Sequence, residues 1–163
     1  MVRLLDTGVL LIGESGIGKS EGARELVTKG HQLVADVVVE VIVAEEGLLG
    51  RAPALTFELL EIRGLGIINV RELFGQFAAC SESEIDLCIE LRKWSEMERI
   101  ENVIKKHEIA GYAIPKFILP VSSGRSLSTL VEVGARLFRN RETGSDATRV
   151  LLEKHEALLN PIR

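Results

Sequence analysis

The sequence predicts an α/β fold, a mixed central sheet with flanking helices, and three observations point there. A short apolar run from Gly8 to Ile12 stops at Gly13 and passes through Gly18, Lys19 and Ser20 into a stretch of helix formers. That is a strand, a turn and a helix in succession. Runs rich in β-branched residues recur downstream, and towards the C-terminal end apolar residues recur at helical spacing instead. There is no internal repeat and no low-complexity tract, so one layered α/β unit accounts for the pattern.

Taken in order, Gly8 to Ile12 suits a buried strand and Lys19 to Lys29 a helix, with Gly30 as the stop just past its end. Leu33 to Ala35 and Val37 to Val43 read as strand, interrupted at the charged Asp36 and Glu40. Gly47 and Gly50 mark a turn. Ile67, Ile68 and Val70 follow a glycine-rich turn at Gly64 to Gly66. Ile85, Leu87, Ile89 and Leu91 alternate with polar or small neighbours, which predicts a half-exposed strand. The charged segment from Glu96 to Gly111, weakly helical around Ile100 to Lys106, reads as a mobile insertion. Lys116 to Val121 is a further strand, closed by the Ser122, Ser123, Gly124 turn. Leu127, Leu130, Val131, Gly134, Leu137 and Phe138 then recur at helical spacing, and a last helix runs from Ser145 or Asp146 to Leu159, before Pro161.

Composition narrows the function classes. Hydrophobic residues make up 46% and charged residues 27% of the 163, so a folded chain forming one domain over residues 1–163 is expected. The net charge of −4 supplies no positive field for a nucleic-acid backbone or an anionic membrane. Neither is expected as a partner, and any phosphate binding must be local. Cys80 and Cys88 lack the spacing of a metal knuckle or redox pair, which makes reduced thiols in the cytoplasm the expectation. No secretory leader is recognisable, and the first core strand begins only a few residues after Met1, which points to sequence upstream.

The clearest chemical signal is the phosphate loop Gly13, Glu14, Ser15, Gly16, Ile17, Gly18, Lys19 and Ser20. Its pattern is glycine, four residues, glycine, lysine, serine, and it lies between a predicted strand and a predicted helix. Glycines let the backbone turn its amides inward, and the start of the helix adds positive partial charge where an anion would lie. Lys19 brings a full charge, and the Ser20 hydroxyl suits Mg2+, which keeps most of its waters and bridges phosphate oxygens. Such a loop serves GTPases, ATPases, motors and small kinases alike, although the guanine-reading Asn-Lys-x-Asp string is absent. Asp36, at the end of a predicted strand, reads equally well as a carboxylate meeting the metal or an attacking hydroxyl and as a turn-forming aspartate.

A second cluster runs from Leu60 to Val70, with an acid and a base two apart, Glu61 and Arg63, followed by Gly64 and Gly66. A strand would put Glu61 and Arg63 on one face. The plainer reading is a surface ion pair beside a tight turn.

Three segments, GVLLIGESGIGKSEGARELVTKGHQLVAD at 8–36, LLEIRGLGIINVRELFG at 59–75 and PVSSGRSLSTLVEVGARLFRN at 120–140, occur in the order found in one family. With them the chain resembles the C-terminal catalytic domain of HPr kinase/phosphorylase, the bacterial serine kinase acting on the phosphocarrier protein HPr. The resemblance implies a P-loop kinase domain similar to phosphoenolpyruvate carboxykinase, without the family's N-terminal regulatory domain. It also implies assembly as a homo-hexamer and a role in carbon catabolite regulation. Lys19 would hold phosphates, Ser20 and Glu61 would position Mg2+, and Arg63 to Asn69 would form the loop used in both reaction directions. Arg99 resembles the family's catalytic arginine. Val121 to Ser126, with Arg125, resembles the loop tied to dephosphorylation, although the family usually has asparagine where Ser126 stands. Such enzymes phosphorylate a serine of HPr with ATP or pyrophosphate and reverse this with inorganic phosphate.

The chain departs from the family's pattern at one informative place. Where the family has two consecutive aspartates, the second moving the proton, this chain has Asp36 and then Val37, and it starts too late to contain an upstream histidine. Asp36 could substitute, as could Glu40 if it shares a regular strand face with Asp36. Three functions are therefore expected in order: an HPr kinase/phosphorylase, a nucleotide- or phosphate-sensing binding protein with little turnover, and a generic ATPase.

Overall fold

The computed structural model describes residues 1–94, 104–122 and 124–159. Its elements in chain order are β1 (Val2–Leu4), β2 (Thr7–Gly13), α1 (Lys19–Thr28), β3 (Gln32–Leu33), β4 (Glu40–Ala44), β5 (Gly47–Arg51), β6 (Leu59–Ile62), β7 (Gly66–Asn69), α2 (Val70–Phe74), β8 (Glu82–Glu84), β9 (Leu87–Lys93), β10 (Lys105–Ile109), β11 (Tyr112–Val121), α3 (Leu127–Glu142) and α4 (Ala147–Leu159).

A six-stranded sheet in the order β10-β11-β9-β2-β1-β3 forms the centre. β2, β9 and β11 run parallel at its heart, while β1, β3 and β10 are antiparallel to their neighbours, so the sheet is mixed, as the sequence predicts. Period-two alternation sends the two halves of each central strand to different cores. Val9, Leu11, Leu87, Ile89 and Leu91 pack with Ala23, Leu26 and Val27 of α1 and with Val131, Ala135 and Phe138 of α3. Leu10, Cys88 and Ile114 pack on the other side with Val34, Leu48 and Ile85, under the three-stranded sheet β4-β5-β8. The result is helices, central sheet and small sheet in three layers.

Several local expectations need correction. β9 is not half exposed: Leu87, Cys88 and Ile89 are fully buried, because parallel neighbours flank the strand and both its faces are covered. Glu90, on the small-sheet side, pairs with Lys116 of β11 at 2.7 Å, and both side chains are mostly buried. Val37 and Val38 lie outside any strand; β4 starts at Glu40. Gly47 and Gly50 lie within β5, with the turn at residues 45 and 46. Of the Glu96 to Gly111 segment, Lys105–Ile109 is β10, paired antiparallel with β11, which itself starts at Tyr112. Its remainder at 95–103 lies outside the described residues. β1 joins β2 through a two-residue turn in which Leu5 and Asp6 both have positive φ, 48° and 64°. That is the hairpin turn matching strand twist, made here without glycine.

α1 and α3 match the sequence reading closely, and α4 runs to Leu159 as expected. Gly22 lets α3 come close to α1, since a Cβ there would lie 3.0 Å from Leu127 Cδ2. Among the described residues no helix is long and apolar enough to cross a membrane.

Candidate functional site

The site begins where β2 ends. Gly13, Gly16 and Gly18 have φ of 148°, 79° and 106°, values that favour glycine, so the loop from Gly13 to Ser20 turns through conformations L side chains avoid. Gly13 also has no room for a side chain: a Cβ would sit 2.6 Å from the carbonyl oxygen of Leu91. Ile17 is buried and pins the middle of the loop to the core, while Glu14, Ser15 and Gly16 remain exposed. Gly18 is the N-cap of α1 and has no side chain with which to cap it, so the helix opens onto the loop with its first amides directed there.

Lys19 Nζ donates to the carbonyl oxygens of Gly13 and Glu14 at 2.7 and 2.8 Å, which holds the ammonium across the loop. Glu14 places a carboxylate in an otherwise anion-seeking loop, and Lys93 at the end of β9 meets it at 3.1 Å. Lys93 was not among the residues singled out in the sequence, because only the parallel register of β9 on β2 brings it there.

Asp36 lies in a bend beyond β3, next to the buried Ala35, and its Oδ2 accepts the backbone N–H of Glu61 at 3.1 Å. Asp36 and Glu61, both singled out in the sequence, are thus brought together from separate segments. Val37, beside Asp36, is 78% exposed. Glu40 does not share a strand face with Asp36; it begins β4 and its carboxylate accepts from Arg51 at 2.9 Å.

Glu61 lies in β6, but Arg63 is in the hairpin turn between β6 and β7, so the two do not share a strand face. Gly64 and Gly66, at φ 88° and 89°, bend that turn. The foot of the hairpin is fixed by Asn69, the end of the loop named from the sequence, together with Glu58 and Arg71, to which the sequence reading gave no role. Glu58, at φ 66°, pairs with Arg71 at 2.9 Å and accepts from Asn69 Nδ2 at 3.3 Å. Asn69 Oδ1 in turn accepts the amides of Arg71 and Glu72, capping α2. Asn before a short helix is a signal a cap search finds.

Arg125 lies in the exposed turn between β11 and α3, its guanidinium carbon 5.6 Å from the ring centroid of Trp94. Leu127 follows it, and its Cδ2 would lie 3.7 Å from a Cβ at Gly18, so this turn adjoins the phosphate loop. Arg99 lies outside the described residues.

Three residues here carry oxygen donors whose chemistry suits a small hard cation. A serine hydroxyl at Ser20 and carboxylates at Asp36 and Glu61 are oxygen ligands of the kind Mg2+ takes. Among the described residues no three His, Cys, Asp or Glu side chains are grouped to hold a metal ion.

Residues 1–155 match the family model described as HPr Serine kinase C-terminal domain. The chain is 42% identical over 163 residues to an HPr kinase/phosphorylase of Levilactobacillus brevis, covering 98% of this chain and 52% of that protein. It is 43% identical over 158 residues to one of Caldicellulosiruptor bescii, covering 94% and 51%. Among solved structures, the HPr(Ser) kinase/phosphatase from Coxiella burnetii is similar with a TM-score of 0.83 and 33% identity, over 92% of this chain and 93% of that one. The chain spans about half the length of the curated relatives it matches.

Proposed function

The chain belongs to the HPr serine kinase C-terminal domain family, and on that premise we propose that it is a bifunctional HPr kinase/phosphorylase domain. It phosphorylates a serine of HPr with ATP or pyrophosphate and reverses this with inorganic phosphate. The observation that carries the reading is the contact of Asp36 with Glu61, two family-matched residues held together across the sequence, in a chain with an intact phosphate loop.

In the forward direction the serine oxygen bonds to the terminal phosphorus of the donor, the bridging P–O bond breaks, and ADP or inorganic phosphate leaves. The loop amides and Lys19 bind the donor's phosphate oxygens, a task in which positioning and charge neutralisation supply most of the catalysis. Asp36 takes the hydroxyl proton and returns it in reverse, when phosphate oxygen attacks phosphoserine and pyrophosphate is released. Bound Mg2+ would neutralise the charge of the transferring group, and Ser20 with Glu61 would hold it. Arg63 and Arg125 contact phosphate from the two exposed turns, and Arg99 supplies a further cation. The domain works in the cytoplasm as part of a homo-hexamer, with no nucleic acid or membrane as partner.

One observation favours a second reading. Val37, exposed beside Asp36, has no proton to give, and this fits a protein that senses ATP, phosphate or pyrophosphate with little turnover. Incubating the chain with HPr, Mg2+ and γ-labelled ATP separates the two. Label on a serine of HPr is expected, faster after Val37→Asp. Label from neither form contradicts the kinase reading, and tight nucleotide binding without transfer establishes the sensor.

A further inference from the structure

Trp94 is the one tryptophan of the chain, and it stands 49% exposed immediately beyond β9. β9 is registered on β2 with Leu91 opposite Gly13, so Trp94 lies past the point where the phosphate loop starts, on the neighbouring strand. Lys93, its predecessor, reaches Glu14 of that loop. The Trp94 amide donates to the carbonyl of Val121 at 3.1 Å, which fixes its backbone to the end of β11. Arg125 covers the indole from the turn that adjoins Gly18.

A large aromatic side chain so placed has no core to fill. The Arg125 guanidinium over its ring adds a cation–π attraction that favours this placement of the indole. Half exposed beside the phosphate loop, the indole offers the kind of platform on which flat heteroaromatic bases stack without hydrogen-bond readout. We propose that Trp94, backed by Arg125, is the stacking surface for the purine ring of a nucleoside triphosphate whose phosphates lie in the Gly13 to Ser20 loop. This rests on the phosphate-loop reading above. It separates the two donors: a nucleotide touches Trp94, whereas pyrophosphate has no ring and does not.

The test titrates ATP and pyrophosphate separately, each with Mg2+, into the wild-type chain, Trp94→Ala and Trp94→Phe by calorimetry, and follows indole emission in the wild type. Trp94→Ala is expected to weaken ATP roughly 5- to 150-fold, the range of base-on-aromatic stacking. Trp94→Phe retains most of the affinity, pyrophosphate binds all three alike, and ATP but not pyrophosphate quenches emission. Equal weakening of both ligands by Trp94→Ala would assign the indole to shaping the loop and overturn the proposal. Unchanged ATP affinity, or equal quenching by both ligands, would also overturn it. A wild-type chain that binds neither ligand refutes instead the phosphate loop on which the proposal stands.

Discussion

Asp36 accepts the backbone N–H of Glu61 through Oδ2 at 3.1 Å, and this one bond ties the segment after β3 to the β6–β7 hairpin. A carboxylate anchored on a backbone N–H is held in place, which suits a group that must receive a proton at a defined position.

Asp36→Asn is therefore expected to keep the acceptor for Glu61 while removing the base. Serine phosphorylation should fall roughly 10²- to 10⁴-fold, the usual contribution of general base help, with little change in the melting temperature. A variant that keeps the wild-type rate would take Asp36 out of the chemistry.

Arg71 holds the foot of the same hairpin through Glu58, whose positive φ the rest of the fold must stabilise. Arg71→Ala is expected to cost about 1–2 kcal/mol by leaving Glu58 without that partner. Amide exchange should quicken in β6 and β7 before it does in β9. Uniform quickening across both sheets would show that the network does not act locally.

Gly8 tests the packing of the central sheet against β8. A Cβ there would lie 1.6 Å from the carbonyl oxygen of Glu84, and backbone cannot move aside as a flexible side chain does. Gly8→Ala should cost more than ~4 kcal/mol, the range reserved for such clashes, read from urea midpoints. A loss within experimental error would mean that β2 and β8 are not held this close.

How much of this is legible in the sequence depends on how local each cause is. The phosphate loop, α1 and α3 are readable because glycine spacing and helical periodicity lie within a few residues of each other. β9 is misread because Glu90 marks one face as polar, and its partner Lys116 lies 26 residues away on a neighbouring strand. β10 reads as an insertion because an edge strand carries charges where a central one carries apolar residues; Lys105, Lys106 and Glu108 are exposed. The meetings of Asp36 with Glu61 and of Lys93 with Glu14 come from sheet register and hairpin placement, which no local pattern encodes. Asp36 and Glu61 could be chosen as candidates from the sequence; their contact could not.

Asp86 gives a pH dependence with a definite sign. Burial raises its carboxyl above the ordinary value of 3.8, only partly offset by the hydrogen bond from the Gly8 amide. The folded chain thus holds this proton more firmly than the unfolded one. Its contribution to stability is fully present below pH 3.8 and is lost as pH rises through the raised value. Asp86→Asn keeps an acceptor for Gly8 without titrating, so its stability relative to wild type should grow over that interval and then level off. Urea midpoints between pH 3 and pH 7 check this, and a constant difference would contradict it.

In the proposed function Lys19 and the loop amides grip a phosphate chain, and calorimetric titration of Mg2+ with ATP and with pyrophosphate measures that grip directly. The wild-type chain is expected to bind both, and Lys19→Ala to lose binding by roughly 10- to 100-fold or more, as for a charge-assisted contact, with its melting temperature unchanged. Equal affinity in the two proteins would contradict the assignment of this loop as the phosphate site.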